Sequence, residues 1–363
     1  MLRHELPGRL YSLDVLRGLA ALAVVLFHWN HFLIQSALEG ILPVVDGAHP
    51  FWDVLAPFYT EGRRAVDVFF CISGFIFYWL YSVPVSDFEI GPRKFAVLRF
   101  SRLYPLHLLT LLVVAGLQGV FWMQKGIHFI YPFNDLYHFV LSLFFLSGWG
   151  LGSAFCFNAP VWSVSVEIMV YFIFFGLCRM GWRRPWQLIG FVAVGFFLQE
   201  ISRSLDWDAQ LIGRGIVGFF SGGLTYYVAR SLIRSGLKPG FRILIVGLCV
   251  SAWWIFPSFR SDLAYSLVVY PLTLLSLVAI ETGVRLPFRR FAWLGDISYS
   301  IYLWHIPLQI VVYLWITMAG LDPAIFRTPA LFFIFLGTLG ALGLVSCYGF
   351  ERPLERVLRR RFS

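Results

Sequence analysis

The chain has 363 residues, of which 59% are hydrophobic, 19% aromatic and only 13% charged, and its mean hydropathy is +0.74. A water-soluble globular domain is closer to half apolar and a quarter charged, so a soluble fold is excluded. The net charge of +9 does not indicate a nucleic-acid partner, because the basic residues form no stripe and sit in short clusters at the ends of apolar runs, where they orient a membrane protein.

Apolar runs occur near residues 12–33, 65–83, 95–121, 136–151, 161–178, 186–201, 211–231, 241–257, 263–282, 296–318 and 329–350. Most have the roughly 17–25 residues that a helix needs to cross a hydrocarbon core. The first is too long for a signal peptide and lacks a small-residue cleavage site. No internal repeat or low-complexity tract interrupts the series. Cys71, Cys156, Cys178, Cys249 and Cys347 show no paired spacing, and neither a disulfide framework nor a metal site is expected.

Charge sets the orientation. Arg3 and Arg9 precede the first run, whereas the following loop, residues 34–61, carries Glu39, Asp46, Asp53 and Glu61 and no basic residue. The N-terminus is therefore expected in the cytoplasm. Basic clusters at Arg93/Lys94/Arg99/Arg102, Arg179/Arg183/Arg184, Arg230/Arg234/Lys238/Arg242, Arg285/Arg289/Arg290 and Arg352 through Arg361 mark further cytoplasmic turns. These clusters agree with one another only if one run fails to cross. Residues 136–151 are short and end in Gly148, Gly150 and Gly152, so this run is expected to be re-entrant or interfacial. The fold class is thus all-α, a polytopic bundle of ten transmembrane helices plus one such segment, with both termini cytoplasmic.

A charge at the bilayer centre costs at least about 2.5–3.5 kcal/mol on insertion scales, so each one needs a partner or a purpose. Arg17 and His28 lie in the first span, eleven residues apart. At about 100° per residue they are some 20° off three full turns, on one helix face and roughly 16 Å apart in height. The alternative is that Arg17 snorkels to headgroups while His28 lies at the interface beside Trp29. Asp67, in the second span, comes to the depth of His28 and is placed to orient an imidazole; its alternative partners are Arg63 and Arg64. Arg99 and Arg102, about one turn apart at the mouth of the third span, suit a phosphate-bearing ligand as well as simple anchoring. Glu167 lies about two turns inside the fifth span, Arg214 near the outer end of the seventh, and His305 near the middle of the tenth, where a lone histidine is often an interhelical hydrogen bonder.

Six stretches resemble the acyltransferase family 3 proteins: SLDVLRGLAALAVVLFH (12–28), AVDVFFCISGFIF (65–77), RFSRLYPL (99–106), VWSVSVE (161–167), RGIVGFFSGG (214–223) and LGDISYSIYLWHIPL (294–308). They follow the family's order over essentially the whole chain. Arg63 and Arg64 depart from the pattern, which has mostly small residues before the second-span Asp. The resemblance implies one membrane domain over residues 1–363 without the soluble hydrolase-like domain that some relatives carry. It also implies transfer of an acyl group, most often acetyl, from cytoplasmic acyl-CoA to a hydroxyl of an extracytoplasmic glycan or lipid-linked saccharide. By the same resemblance Arg17 and His28 are the essential pair, Arg99 and Arg102 the third-span basic motif, and Glu167 and His305 polar positions of the fifth and tenth spans. The expected set is then His28, Asp67, Glu167 and His305 for chemistry and Arg17, Arg99 and Arg102 for the CoA donor, with no metal. A transporter is the rival class; the lack of an inverted repeat and the concentration of polar groups in a few spans count against it.

Overall fold

The computed structural model describes residues 6–41, 43, 45, 47–204, 209–259, 261–284 and 286–362. Arg3, Asp46 and Arg285, three of the charges used for orientation, lie outside the described residues. Among the described residues every regular element is helical and none is a strand, in keeping with the all-α expectation. In hydrocarbon no water satisfies the backbone, and an apolar helix meets that demand with bonds internal to itself.

The principal helices are α1 (Tyr11–His28), α2 (Asn30–Leu38), α3 (Trp52–Glu61), α4 (Ala65–Leu80), α5 (Pro92–Lys125), α6 (Leu136–Leu143), α7 (Val161–Arg179), α8 (Pro185–Ser204), α9 (Gln210–Arg234), α10 (Pro239–Ile255), α11 (Tyr270–Gly283), α12 (Ser298–Met318), α13 (Pro329–Val345) and α14 (Arg352–Phe362). Among the described residues seven helical stretches are long and apolar enough to cross a membrane: Tyr11–Leu38, Pro92–Lys125, Val161–Arg179, Gln210–Arg234, Asp262–Gly283, Ser298–Met318 and Pro329–Phe362. The other three expected crossings fall on α4, α8 and α10. Helices α4 and α10 have 16 and 17 residues, about 24–26 Å of rise. Helix α8 is long enough at 20 residues but carries Gln187, Gln199, Glu200 and Arg203. The run at 136–151 forms only the eight-residue α6, about 12 Å long and far short of a hydrocarbon core of roughly 30 Å.

The chain divides into two compact units, residues 1–19, 66–92 and 166–296, and residues 20–65, 93–165 and 297–363. In the first, the start of α1 is capped from a distance: the Glu281 carboxylate accepts the backbone N–H groups of Tyr11 and Ser12, both at 2.9 Å. These are donors that a helix start leaves without partners. Arg9 joins Asp14 (2.7 Å) to Asp296 (3.2 Å). Helices α4 and α9 touch backbone to backbone: a Cβ on Gly74 would overlap the Phe219 carbonyl, and one on Gly222 the Cys71 carbonyl. Small residues at a crossing are how apolar helices gain packing in a medium as apolar as their own side chains.

In the second unit the helical ladder breaks between α1 and α2. The Phe32 N–H bonds to the Trp29 carbonyl, three residues back, and side-chain amides take up carbonyls at the break. Asn30 donates to the Phe27 carbonyl (2.7 Å) and Gln309 to that of His28 (2.8 Å). Trp29 is fully buried, with its indole N–H 3.0 Å from the Phe326 carbonyl, amid the rings of Phe32, Phe332 and Phe335. An interfacial Trp belt is therefore not what holds this end of α1. Helix α13 runs through a π-turn, Ser346–Glu351, into α14. The Glu351 carboxylate there accepts the hydroxyls of Ser300 (2.5 Å) and Ser346 (3.1 Å).

The α4–α9 contact predicts a steep penalty for bulk. Gly222→Leu should cost at least about 1–3 kcal/mol and lower the melting temperature in detergent. Gly176→Ala, whose added Cβ meets nothing within 4 Å, should leave it unchanged or slightly raised.

Candidate active site

Of the residues singled out by sequence, the structure brings His28 and His305 together. Nε2 of His305 lies 2.9 Å from Nδ1 of His28, with the ring planes 21° apart and the centroids separated by 4.9 Å. His305 is fully buried, whereas His28 keeps part of its surface open. With Nδ1 facing His305, Nε2 of His28 is the nitrogen left for a reacting group. For that nitrogen to act as a base, the proton of the neutral ring must sit on Nδ1 and be donated to His305 Nε2. His305 is then the Nδ1–H tautomer.

A third imidazole joins the cluster. His31 is buried, its ring centroid 4.8 Å from that of His28. Its Nδ1 lies 3.0 Å from Gln309 Oε1 and its Nε2 3.1 Å from the Tyr131 hydroxyl. The Gln309 Nε2 group donates to a backbone carbonyl, which can only accept, and this fixes the amide's orientation. Oε1 therefore accepts from His31, whose neutral ring carries its proton on Nδ1 and accepts from Tyr131 at Nε2. Close by, Tyr302 donates to the Pro160 carbonyl at 2.8 Å and pairs with the Ser163 hydroxyl at 2.7 Å, and Asn158 donates to the Leu303 carbonyl at 3.0 Å.

Asp67 and Glu167 belong to the first unit, where both are engaged. Arg214 grips Asp67 with two bonds, Nε to Oδ1 at 3.2 Å and Nη2 to Oδ2 at 3.0 Å; the side-chain exposures are 16% for Arg214 and 1% for Asp67. Geometry of this kind is what lets a buried ion pair offset its loss of hydration. Glu167 accepts the hydroxyls of Ser73 and Tyr171 on the same oxygen. Of the alternative partners of Asp67, Arg64 pairs with Glu61 at 3.3 Å.

The arginines expected to hold a phosphate-bearing donor occupy two places. Arg17 is half-buried in the middle of α1, between Asp14 and Gly18. A Cβ on Gly18 would overlap Leu294, and one on Gly295 the Asp14 backbone, so the LRG and LGD stretches meet only because both carry glycine. In the second unit Arg99 is half-buried and Arg102 exposed on α5. On the same stretch of α5 Arg359 of α14 reaches the Leu98 carbonyl and the Ser101 hydroxyl, both at 3.4 Å. Among the described residues no group of three or more His, Cys, Asp or Glu side chains could hold a metal ion, and the five cysteines are buried and free.

Sequence reasoning missed His31, Gln309 and Tyr131, as well as the Asp67–Arg214 pairing. Two of these had a readable signal: His31 follows His28 by three residues and Gln309 follows His305 by four, the spacings that place side chains on one helix face. Tyr131 lies in a loop and had none. The ion pair predicts a double-mutant cycle. Arg214→Leu should cost about 3–5 kcal/mol by stranding Asp67, and the Asp67→Leu/Arg214→Leu double variant should melt above the Arg214 single variant.

Comparison with known proteins gives the family. The profile of a family described as "Acyltransferase domain" matches residues 10–348. "Exopolysaccharide production protein ExoZ" of Rhizobium meliloti (strain 1021) is 30% identical over 328 residues, covering 84% of this chain and 92% of the relative. "Acyltransferase MdmB" of Streptomyces mycarofaciens is 30% identical over 172 residues, covering 46% of this chain and 38% of that protein. "Protein 2 in picA locus" of Rhizobium radiobacter is 29% identical over 174 residues, covering 45% and 80%. No solved structure matches. With a profile match over nearly its whole length, the chain belongs to acyltransferase family 3.

Proposed function

We propose that this protein is a multi-pass membrane O-acyltransferase of ten crossings, set in the bacterial inner membrane with both termini in the cytoplasm. It takes an acyl group, acetyl by preference, from cytoplasmic acyl-CoA and passes it to a hydroxyl of an extracytoplasmic glycan or lipid-linked saccharide. The observation that carries the reading is the contact between His28, partly open, and His305, fully buried. An imidazole held at one nitrogen and open at the other is the form that a general base takes. The printed name of the ExoZ relative, which refers to exopolysaccharide production, favours a glycan acceptor.

In the proposed reaction His28 Nε2 removes the acceptor's hydroxyl proton as the oxygen attacks the thioester carbonyl. The carbon–sulfur bond then breaks, the acyl group stays on oxygen, and the CoA thiolate leaves and takes up the proton. His305 orients the ring through Nδ1 and shares the imidazolium charge. Asp67 and Glu167 stay in the proposed set as acidic groups that their own partners hold in place. Arg17, Arg99 and Arg102 hold the CoA phosphates, with the pantetheine arm reaching along α1 over a rise of roughly 16 Å. No metal enters this scheme.

His28→Ala should lower acyl transfer by about 10²–10⁴-fold at equal expression, while Arg17→Ala should chiefly raise KM for acyl-CoA. Mass spectrometry of the host's surface glycans reads the first effect directly as a lost acyl increment. Wild-type glycan acylation by His28→Ala would refute the mechanism.

A further inference from the structure

The polar chain beneath His28 does something that the base itself does not. His28 is attached to α12 at two points, one turn apart on that helix. His305 meets its ring at Nδ1, and Gln309 donates to its backbone carbonyl at 2.8 Å. One contact alone leaves the ring free to swing about it; two contacts fix both the backbone and the plane of the imidazole. The second lies at the break between α1 and α2, where the ladder leaves the His28 carbonyl to a side chain. Gln309 is fully buried, and its remaining oxygen is occupied by the His31 Nδ1–H. Tyr131 closes the chain on the other side of His31, and the Asn134 side chain holds the Tyr131 carbonyl at 2.6 Å. Every donor in the series points the same way, from Tyr131 to His31 to Gln309 to the carbonyl of His28.

We propose that Gln309 is a positioning residue for acyl transfer: it sets where the His28 imidazole stands by carrying both the carbonyl of His28 and the Nδ1–H of His31. The proposal rests on the reading of His28 as the base. In it His31 acts as a structural donor, and only its Nδ1–H matters. A plain interhelical bond would stabilise the bundle and leave turnover alone; a positioning bond is read in kcat, because a displacement of about 1 Å at the reacting group can cost about 100-fold.

The test compares Gln309→Leu, His31→Phe and His31→Asn with His28→Ala and the parent, using labelled acetyl-CoA as donor and the host's surface polysaccharide as acceptor. Asparagine at position 31 keeps an N–H where Nδ1 stands; phenylalanine keeps only the bulk. Gln309→Leu and His31→Phe should each lower kcat about 10- to 100-fold with KM for acetyl-CoA within about twofold. His31→Asn should stay within about threefold of the parent. Parental kcat in Gln309→Leu or His31→Phe, or equal loss in His31→Asn and His31→Phe, overturns the proposal. Should the leucine variant fail to accumulate, the two His31 variants decide it alone. Parental transfer by His28→Ala would overturn the underlying reading instead, whereas its loss beside an unimpaired Gln309→Leu would overturn this inference only.

Discussion

One proton lies between two imidazoles, His305 Nε2 and His28 Nδ1, 2.9 Å apart in an interior that offers little else to bond to. Removing either ring strands a polar nitrogen of the other, at a cost of about 1–3 kcal/mol for an unsatisfied buried group. Much of the second unit supports this contact. The side chains of Asn30 and Gln309 take up carbonyls at the helix break, and the packed rings around Trp29 fill the space behind it. Tyr302, one turn before His305 on α12, is tied to Pro160 and Ser163 at the start of α7. The two histidines are thus fixed on helices whose own positions are set by independent bonds, which is the condition for a preorganised site.

The first unit solves a different problem. Three of its carboxylates inside the helices are matched: Asp67 by Arg214, Glu167 by two hydroxyls, and Glu281 by the N–H groups at the start of α1. Such pairing is affordable only where helices approach closely enough for short side chains to reach. The glycine contacts of α4 with α9, and those of Gly18 with Leu294 and of Gly295 with Asp14, supply that approach. The motif glycines and the motif charges therefore belong to one arrangement: the glycines bring backbones together and the charges bond across the junctions they create.

Class and helix positions were legible because hydrophobic length is a direct physical demand of the bilayer, and each of the eleven apolar runs contains a helix, the run at 136–151 only over its first half. The short α6 was legible too, from Gly148, Gly150 and Gly152 closing its run. Partnership was less so. Asp67 reads as a neighbour of His28 by depth alone, yet depth does not say which helix lies beside it, and the partner found is Arg214. His305 reads as a solitary polar residue until α1 is laid against α12. His31 and Gln309 carried a helical spacing signal, but Tyr131 is brought in by a loop whose path depends on tertiary contacts such as Asn134 to Phe157. Periodicity places a side chain on a face; only packing chooses what that face meets.

The His28–His305 contact gives the proposed chemistry its direction, since it occupies one nitrogen of His28 and leaves the other for the acceptor. The most direct test of that claim is acyl transfer by a His305→Ala variant in inside-out membrane vesicles supplied with labelled acetyl-CoA, with acetyl-CoA binding measured in parallel. The account predicts binding close to that of the parent and transfer reduced by about 100-fold or more. Transfer at the parental rate would contradict it.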